Sequence, residues 1–272
     1  MAAPLRLQSI TLTAAEPAAA ARFYRWVLQL KTAPEPPTPE VLALGWGKED
    51  RVCVAGNEES GVEEAVQLRM SALSIAAVGE WCGTRAITPG AVAVSPVDSE
   101  PARATWPSTP VSVISDEAAM NCTQLVVRAP EGLRIDLVFP LPVETLVARG
   151  QVGPFYRRNQ DWHGLEIPGL LGVTTGGPEP AALRGFLARL GVGLLESGDR
   201  AAGPLGIGDH QWIVDERGPA GIRGFAVVVS AKRVNDLKRT LDHLGTDYRQ
   251  SGSRLLTVDP TGRFILVSGV HD

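Results

Sequence analysis

The sequence predicts an α+β protein made of two similar halves. A strand followed by a helix that begins at a proline occurs near residue 5 and again near residue 170. Two strands joined by a Pro-x-Gly turn also occur twice, at residues 125–138 and 255–267. A chain of 272 residues is long enough for two domains of about 100–150 residues each. We therefore expect one set of strands and helices to be used twice.

The composition is that of a folded protein and excludes several classes of partner. Apolar residues make up 44% of the chain and the net charge is −4, which argues against nucleic acid or an anionic membrane as a partner. No apolar run reaches the roughly 18 residues needed to cross a bilayer, and the N-terminus lacks a signal-peptide pattern. The three scattered cysteines favour reduced thiols in the cytoplasm. The alanine, arginine and glycine content suits a GC-rich bacterial genome.

The first half begins with a strand and a helix. Residues 5–13 predict a half-buried strand, because Ile10 and Leu12 lie on one face and Ser9, Thr11 and Thr13 on the other. Pro17 has the position of a residue in the first turn of a helix, which we expect over residues 18–30. The other predicted elements of this half are strands at 41–46, 51–55 and 65–71, a helix at 74–85 and the strand pair within 125–138.

The second half repeats this beginning. Residues 170–175 predict a strand, and Pro180 precedes a helix over 181–190 that Gly191 ends as a C-cap. The other predicted elements are strands at 194–197, 211–215 and 224–229, a helix at 234–244 and the strand pair within 255–267.

These repeats set the expected domain boundaries. The first domain is predicted over residues 1–142 and the second over 169–272, joined by a polar linker containing glycine and proline at 143–168. The distance between corresponding markers is longer in the first half, and residues 88–120 are rich in Pro, Ser, Ala and Val. We therefore expect an insertion at about 88–120.

Three short motifs resemble those of a known superfamily. The helix ARFYRWVLQL resembles the Phe-Tyr-x-x-x-Leu-Gly-Leu helix of the vicinal oxygen chelate superfamily, which includes glyoxalases, extradiol dioxygenases and bleomycin-resistance proteins. RAPEGLRIDLV and VDPTGRFILV are similar to its closing strand pair. One departure is Gln29, which stands where glycine is usual. The resemblance implies tandem βαβββ modules that form two glyoxalase-like domains, with curved mixed sheets and helices packed outside.

The resemblance also implies where a metal would bind. Metal-dependent members carry a His or Gln on a first strand, a His on a middle strand and a Glu four residues after the turn glycine. The corresponding residues are Ser9, Ala65 or Gln67, and Asp136 in the first half, and Gly172, Gly224 and Leu266 in the second. No histidine falls on any of these positions, so we predict neither a metal nor another cofactor.

Strand alternation instead directs polar side chains to the concave face of the first half. We expect this face to bind a small, partly hydrophobic organic molecule. The expected ligand-binding residues are Ser9, Thr11, Trp46, Gln67, Arg69, Arg134 and Asp136. The arginines and the aspartate also fit an ion-pair cluster on a solvated sheet face. The same face of the second half is nearly all apolar, which fits either a structural partner or an apolar pocket.

Two other functions stay open at the level of sequence. The protein could be an enzyme of the same superfamily, either a metalloenzyme that uses His163 or His210 or a metal-free lyase or isomerase in which Asp136 accepts a proton. A nearby arginine favours the ionised carboxylate, which weakens that catalytic role for Asp136. The third interpretation is a structural or regulatory homodimer that binds no small molecule.

Overall fold

A computed structural model describes ten stretches of the chain, and none of the helices in them is long and apolar enough to span a membrane. The described residues are 5–32, 41–45, 51–56, 62–70, 80–87, 91–94, 122–138, 169–194, 205–207 and 210–270.

The first half forms a mixed eight-stranded sheet with the order β2-β3-β4-β1-β5-β8-β7-β6. Its strands are β1 (Leu5–Ala14), β2 (Lys31–Thr32), β3 (Val41–Gly45), β4 (Arg51–Gly56), β5 (Ala65–Met70), β6 (Ala91–Val94), β7 (Cys122–Arg128) and β8 (Arg134–Val138). Helix α1 (Pro17–Val27) follows β1, and residues 80–83 form a helical turn between β5 and β6.

The second half forms a second eight-stranded sheet with the order β10-β11-β12-β9-β13-β16-β15-β14. Its strands are β9 (Gly169–Gly176), β10 (Gly193–Leu194), β11 (Leu205–Ile207), β12 (His210–Asp215), β13 (Gly221–Ser230), β14 (Tyr248–Ser251), β15 (Arg254–Val258) and β16 (Phe264–Val270). Helix α2 (Pro180–Arg189) follows β9 and helix α3 (Ala231–Leu244) follows β13.

The two sheets have the same topology. In each, two units of one strand, one helical segment and three strands meet at the centre, where β1 pairs antiparallel with β5 and β9 pairs antiparallel with β13. The first strand of every unit runs parallel to the last strand of a unit, as β1 does with β4 and β5 does with β8. The tandem βαβββ organisation and the α+β class predicted from the sequence are therefore confirmed.

Four short strands were not predicted. These are β2, β6, β11 and β14, which have two to four residues each and form the outer parts of the sheets. Strand β6 falls inside the stretch expected to be an insertion. Residues 74–79 of the predicted helix, residues 95–120 of that insertion and the linker lie outside the described residues.

Strand β1 contains a β-bulge that the sequence analysis missed. Leu7 pairs with Leu68 and Ser9 pairs with Gln67, so Gln8 is an extra residue without a partner position on β5. The apolar residues before and after the bulge are fully buried. The extra residue keeps both groups on the side of the sheet that packs against the helices.

Helix α1 ends in a way that explains the unusual residue at its C-terminus. Gln29 has a φ of 53°, which is the left-handed conformation that costs a residue with a Cβ atom more than it costs glycine. At the end of α2 the same role falls to Gly191, with a φ of 87°. Gln29 thus takes at the end of α1 the left-handed conformation that a glycine takes at the end of α2.

The halves share one continuous apolar core. Tyr24 of α1 is fully buried and meets the ring of Phe225 on β13 edge-on, with ring centroids 5.7 Å apart and planes at 76°. Because α1 belongs to the first half and β13 to the second, aromatic packing ties the two halves together.

Two glycines of the second sheet lie where no side chain fits. A Cβ atom on Gly224 would lie 2.2 Å from the carbonyl oxygen of Phe264, and one on Gly172 would lie 2.4 Å from that of Gln211. These are contacts with the backbone of neighbouring strands, which cannot move aside cheaply. The sheet therefore requires glycine at both positions.

We expect Gly224→Ala to lower the free energy of unfolding by about 3 kcal/mol, because the added methyl group overpacks against the backbone. The control is Gly185→Ala in α2, where a Cβ meets nothing within 4 Å and where helix propensity predicts a gain of about 0.5–1 kcal/mol. Urea unfolding of both variants measures the two effects. Equal free energies for the Gly224 variant and the wild type would contradict the close approach.

Candidate functional site

Three predicted ligand-binding residues lie side by side on adjacent strands of the first sheet. Ser9 on β1 is aligned with Gln67 on β5, which is aligned with Asp136 on β8. The Ser9 hydroxyl donates a hydrogen bond to Oε1 of Gln67 at 2.9 Å. Ser9 and Asp136 are only 5% and 7% exposed. We call the face of the sheet that carries these three residues the polar face.

The register decides between the two middle-strand residues left open by the sequence. Gln67 belongs to the row of Ser9 and Asp136, whereas Ala65 is aligned with Thr11 and Arg134 in the next row.

The same register corrects one prediction for the second half. In the second sheet the residue aligned with Gly172 and Leu266 is Ala226, not Gly224 as predicted. The bulge in β13 between Ile222 and Gly224 could not be read from spacing alone.

A chain of alternating charges leads away from Asp136. Nε of Arg134 donates to Oδ1 of Asp136 at 2.7 Å, and Nη1 of Arg134 lies 4.0 Å from Oε2 of Glu63. The same Glu63 oxygen accepts from Nη2 of Arg128 at 2.6 Å. Side-chain exposure rises along this chain from 10% for Asp136 to 50% for Arg128. The ion-pair alternative is thus found in part, at the pair of Arg134 with Asp136.

Glu63 and Arg128 were missed by the sequence analysis, although one signal was available. Arg128 and Arg134 are aligned across β7 and β8, and like charges in that position repel each other. An acidic side chain near both arginines reduces this repulsion, and in the structure that side chain is Glu63.

The remaining predicted residues do not belong to the row of Ser9, Gln67 and Asp136. Thr11 is half-buried on β1 and is aligned with Cys53 and Ala65. Arg69 is half-buried on β5, one alternation beyond Gln67 and aligned with Arg6. Trp46 lies outside the described residues.

Solved structures share this fold over nearly the whole chain. Catechol 2,3-dioxygenase matches with a TM-score of 0.65 and 11% identity over 100% of this chain and 89% of its own. The Mn(II)-bound glyoxalase from Novosphingobium aromaticivorans matches with 0.62 and 12% over 98% and 82%. An extradiol ring-cleaving dioxygenase from B. fuscum matches with 0.60 and 15% over 99% and 73%.

The chain shares the two-domain fold of these dioxygenases and of this glyoxalase, which is the fold implied by the sequence resemblance to the vicinal oxygen chelate superfamily. No protein-family model matches the sequence, and neither does any curated protein. At identities of 11% to 15% the structural likenesses establish the fold alone.

The residues of the polar face do not fit the metal that this fold holds in the Mn(II)-bound glyoxalase. The row offers a hydroxyl, an amide and a single carboxylate, whereas divalent ions in proteins are held by several carboxylate or imidazole ligands. Among the described residues, no group of three or more His, Cys, Asp or Glu could hold a metal ion. His210 begins β12 in the second sheet, and His163 lies outside the described residues.

A second polar cluster joins the two halves of the fold. Arg263, next to β16, donates to Glu64 next to β5 and to the carbonyl oxygen of Thr13 at 2.8 Å. The other Glu64 oxygen accepts the backbone N–H of Ile222 at 3.0 Å. We call the contacts of Glu64 and Arg263, together with Asp259, the seam network.

Asp259 organises the turn that carries Arg263. Its Oδ1 accepts the backbone N–H of Thr261 at 2.8 Å and that of Arg263 at 2.9 Å, and its Oδ2 accepts the hydroxyl of Tyr24. Burial, and then the Asp259 carboxylate, raise the pKa of the Tyr24 hydroxyl above its usual value. Tyr24 therefore stays a neutral donor that fixes the turn of one half to α1 of the other.

A cleft of about 590 Å³ lies beside the seam network, between the end of β1 and the turn before β16. Its lining includes Thr13, Glu16, Thr261 and Arg263. Thr13 and Thr261 already donate to Glu64 and Asp259, and Arg263 donates to four acceptors. Because these groups hold the halves together, we assign the cleft to the seam and not to the candidate site.

Arg134→Met should destabilise the protein by about 3 kcal/mol, because it leaves Asp136 buried without its cation. Arg128→Met is the matched control, since its pair with Glu63 is half-exposed and is expected to contribute below about 1 kcal/mol. Denaturant unfolding at neutral pH compares the two. Similar losses for both variants would mean that Asp136 does not depend on Arg134.

Tyr24→Phe should lower the free energy of unfolding by about 1–3 kcal/mol at pH 8, because it leaves an Asp259 oxygen without a donor. The raised pKa of Tyr24 also predicts how this loss of stability depends on pH. Its stabilisation is complete below the unfolded pKa of about 10 and is lost as the pH rises further, so the difference between variant and wild type should shrink in strong base. Tyr248→Phe, at an exposed hydroxyl bonded to Asp242, is the control. A difference that does not change with pH would refute the assignment.

Proposed function

We propose that this protein binds a small, partly hydrophobic organic molecule on the polar face of its first sheet, without a metal ion. The observation that carries the proposal is the row of Ser9, Gln67 and Asp136, in which two polar residues are almost fully buried on a sheet face. Polar groups are expensive to bury, and a few of them converging among apolar neighbours are typical of a ligand site.

The hydrogen bonds within the row prepare it for a ligand. Because Oε1 of Gln67 accepts from Ser9, the amide nitrogen of Gln67 is the end left to face other groups. Arg134 donates a hydrogen bond to the carboxylate of Asp136 and holds it in place. Val126 is aligned with Asp136 on β7 and is 5% exposed, so an apolar wall adjoins the polar row.

The remaining predicted residues complete the proposed site. Thr11 and Arg69 would contact the ligand from the rows on either side, and Trp46 would stack on an aromatic part of it.

The second half serves as a structural partner, and the domains span residues 1–142 and 169–272. We place the protein in a reducing cytoplasm, in agreement with its scattered cysteines.

An enzyme is the second candidate, because the structural neighbours are named as dioxygenases and a glyoxalase. A metal-free version would use Asp136 as a proton acceptor. A metal-dependent version would need ligands beyond the row of Ser9, Gln67 and Asp136. Elemental analysis of the purified protein separates the versions, since a stoichiometric divalent ion would overturn the metal-free proposal.

The proposal is tested by native mass spectrometry of the purified protein and of small molecules extracted from it. We expect a bound organic molecule in the wild type and at least a tenfold lower occupancy in Asp136→Asn, because the variant removes the buried charge without changing its shape. Asp242→Asn, on the surface of α3, is the control and should keep the molecule. Equal occupancy in all three proteins would place the ligand elsewhere.

A further inference from the structure

Gln8, the extra residue of the bulge in β1, has a buried polar atom without a partner. Its side-chain oxygen is shielded from solvent and accepts no hydrogen bond from the part of the chain that the structure describes. Buried carbonyl oxygens almost always have a donor, because burial removes their hydrogen bonds to water and leaving them unpaired costs free energy. An exception next to a candidate binding site calls for a physical explanation.

The bulge directs this residue to the polar face. Leu7 is fully buried on the side of the helices, so alternation along the strand turns the next side chain to the opposite side. Ser9, the following residue, also reaches the polar face, where it bonds to Gln67. Two consecutive residues of β1 therefore serve one face, which a regular strand would not allow.

The adjacent hydroxyl cannot satisfy the Gln8 oxygen. Ser9 has one hydroxyl proton, and it is donated to Gln67. Asp136, at the far end of the row, accepts a hydrogen bond from Arg134. The polar face thus has an acceptor on each side, Gln8 on β1 and Asp136 on β8, and the Gln8 oxygen has no donor among the described residues.

We propose that Gln8 is a specificity-determining residue that accepts a hydrogen bond from the ligand of the polar face. The site then selects molecules that carry an N–H or O–H donor on an apolar body and rejects those whose polar atoms only accept. The last torsion of a glutamine side chain is broad, so the oxygen can turn to such a donor without backbone movement. This inference rests on the proposed function, because it concerns the same site.

Indole and benzofuran are suitable probes, because they have the same shape and differ in one ring atom. Indole has an N–H donor in the five-membered ring, and benzofuran has an oxygen that cannot donate. Dissociation constants from isothermal titration should show that the wild type binds indole about tenfold more tightly, the ratio for one hydrogen bond to a group otherwise left without a donor.

Three variants identify the residue responsible. Gln8→Leu should bind indole and benzofuran equally, with the affinity for benzofuran unchanged. Gln8→Glu, which offers only acceptors when its carboxylate is ionised, should keep the preference for indole at alkaline pH and covers the case in which the leucine variant fails to fold. Gln211→Leu removes a half-buried glutamine from the second sheet and should leave the tenfold ratio intact.

The outcomes separate this inference from the proposed function. If the wild type binds both probes equally, or if Gln8→Leu keeps the preference, Gln8 does not select the ligand while the polar face stays a binding site. If the wild type prefers benzofuran, the glutamine acts through its N–H and the inference is wrong. If neither probe binds to the wild type, the proposed function fails and the role of Gln8 fails with it.

Discussion

The pairing of β1 with β5 determines the position of every polar group in the candidate site. These two strands meet antiparallel at the centre of the first sheet, and β5 continues the sheet by pairing parallel with β8. Gln67 therefore lies between Ser9 and Asp136, and no side chain of the row can change neighbours without a shift of a whole strand. A slip by one residue would turn the row towards the helices, where the apolar core leaves no space for it.

The equivalent strands of the second sheet pair in the same way but carry no polar row. There the corresponding row is Gly172, Ala226 and Leu266, and the strands approach so closely that Gly172 admits no side chain. The duplicated fold thus keeps one face with converging polar groups and one that is bare and apolar. This difference between equivalent faces is the reason for placing the ligand in the first half, and it comes from residue identity because the topology is shared.

Local patterns were enough to predict most of the fold. Strand β1, helix α1 and the two Pro-x-Gly strand pairs each have a signal within about ten residues, and alternation correctly put Ser9, Gln67 and Asp136 on one face. The bulge at Gln8 was missed because only the alternation of residues 9–13 was considered, although Leu7 and Ile10 are out of phase in the sequence. Strands β2 and β14 are too short and exposed to show a pattern. Contacts such as Arg263 with Glu64 join residues 199 positions apart, which no local signal reveals.

Two consecutive glutamates before β5 make contacts in two different parts of the protein. Glu63 reaches the charges that hold Asp136, whereas Glu64 reaches across to Arg263 and the N–H of Ile222 in the other half. Losing or gaining one residue between them and β5 would exchange the directions of the two carboxylates. An insertion or deletion at this point would therefore disturb the protein in two places, at the candidate site and at the contact between the halves.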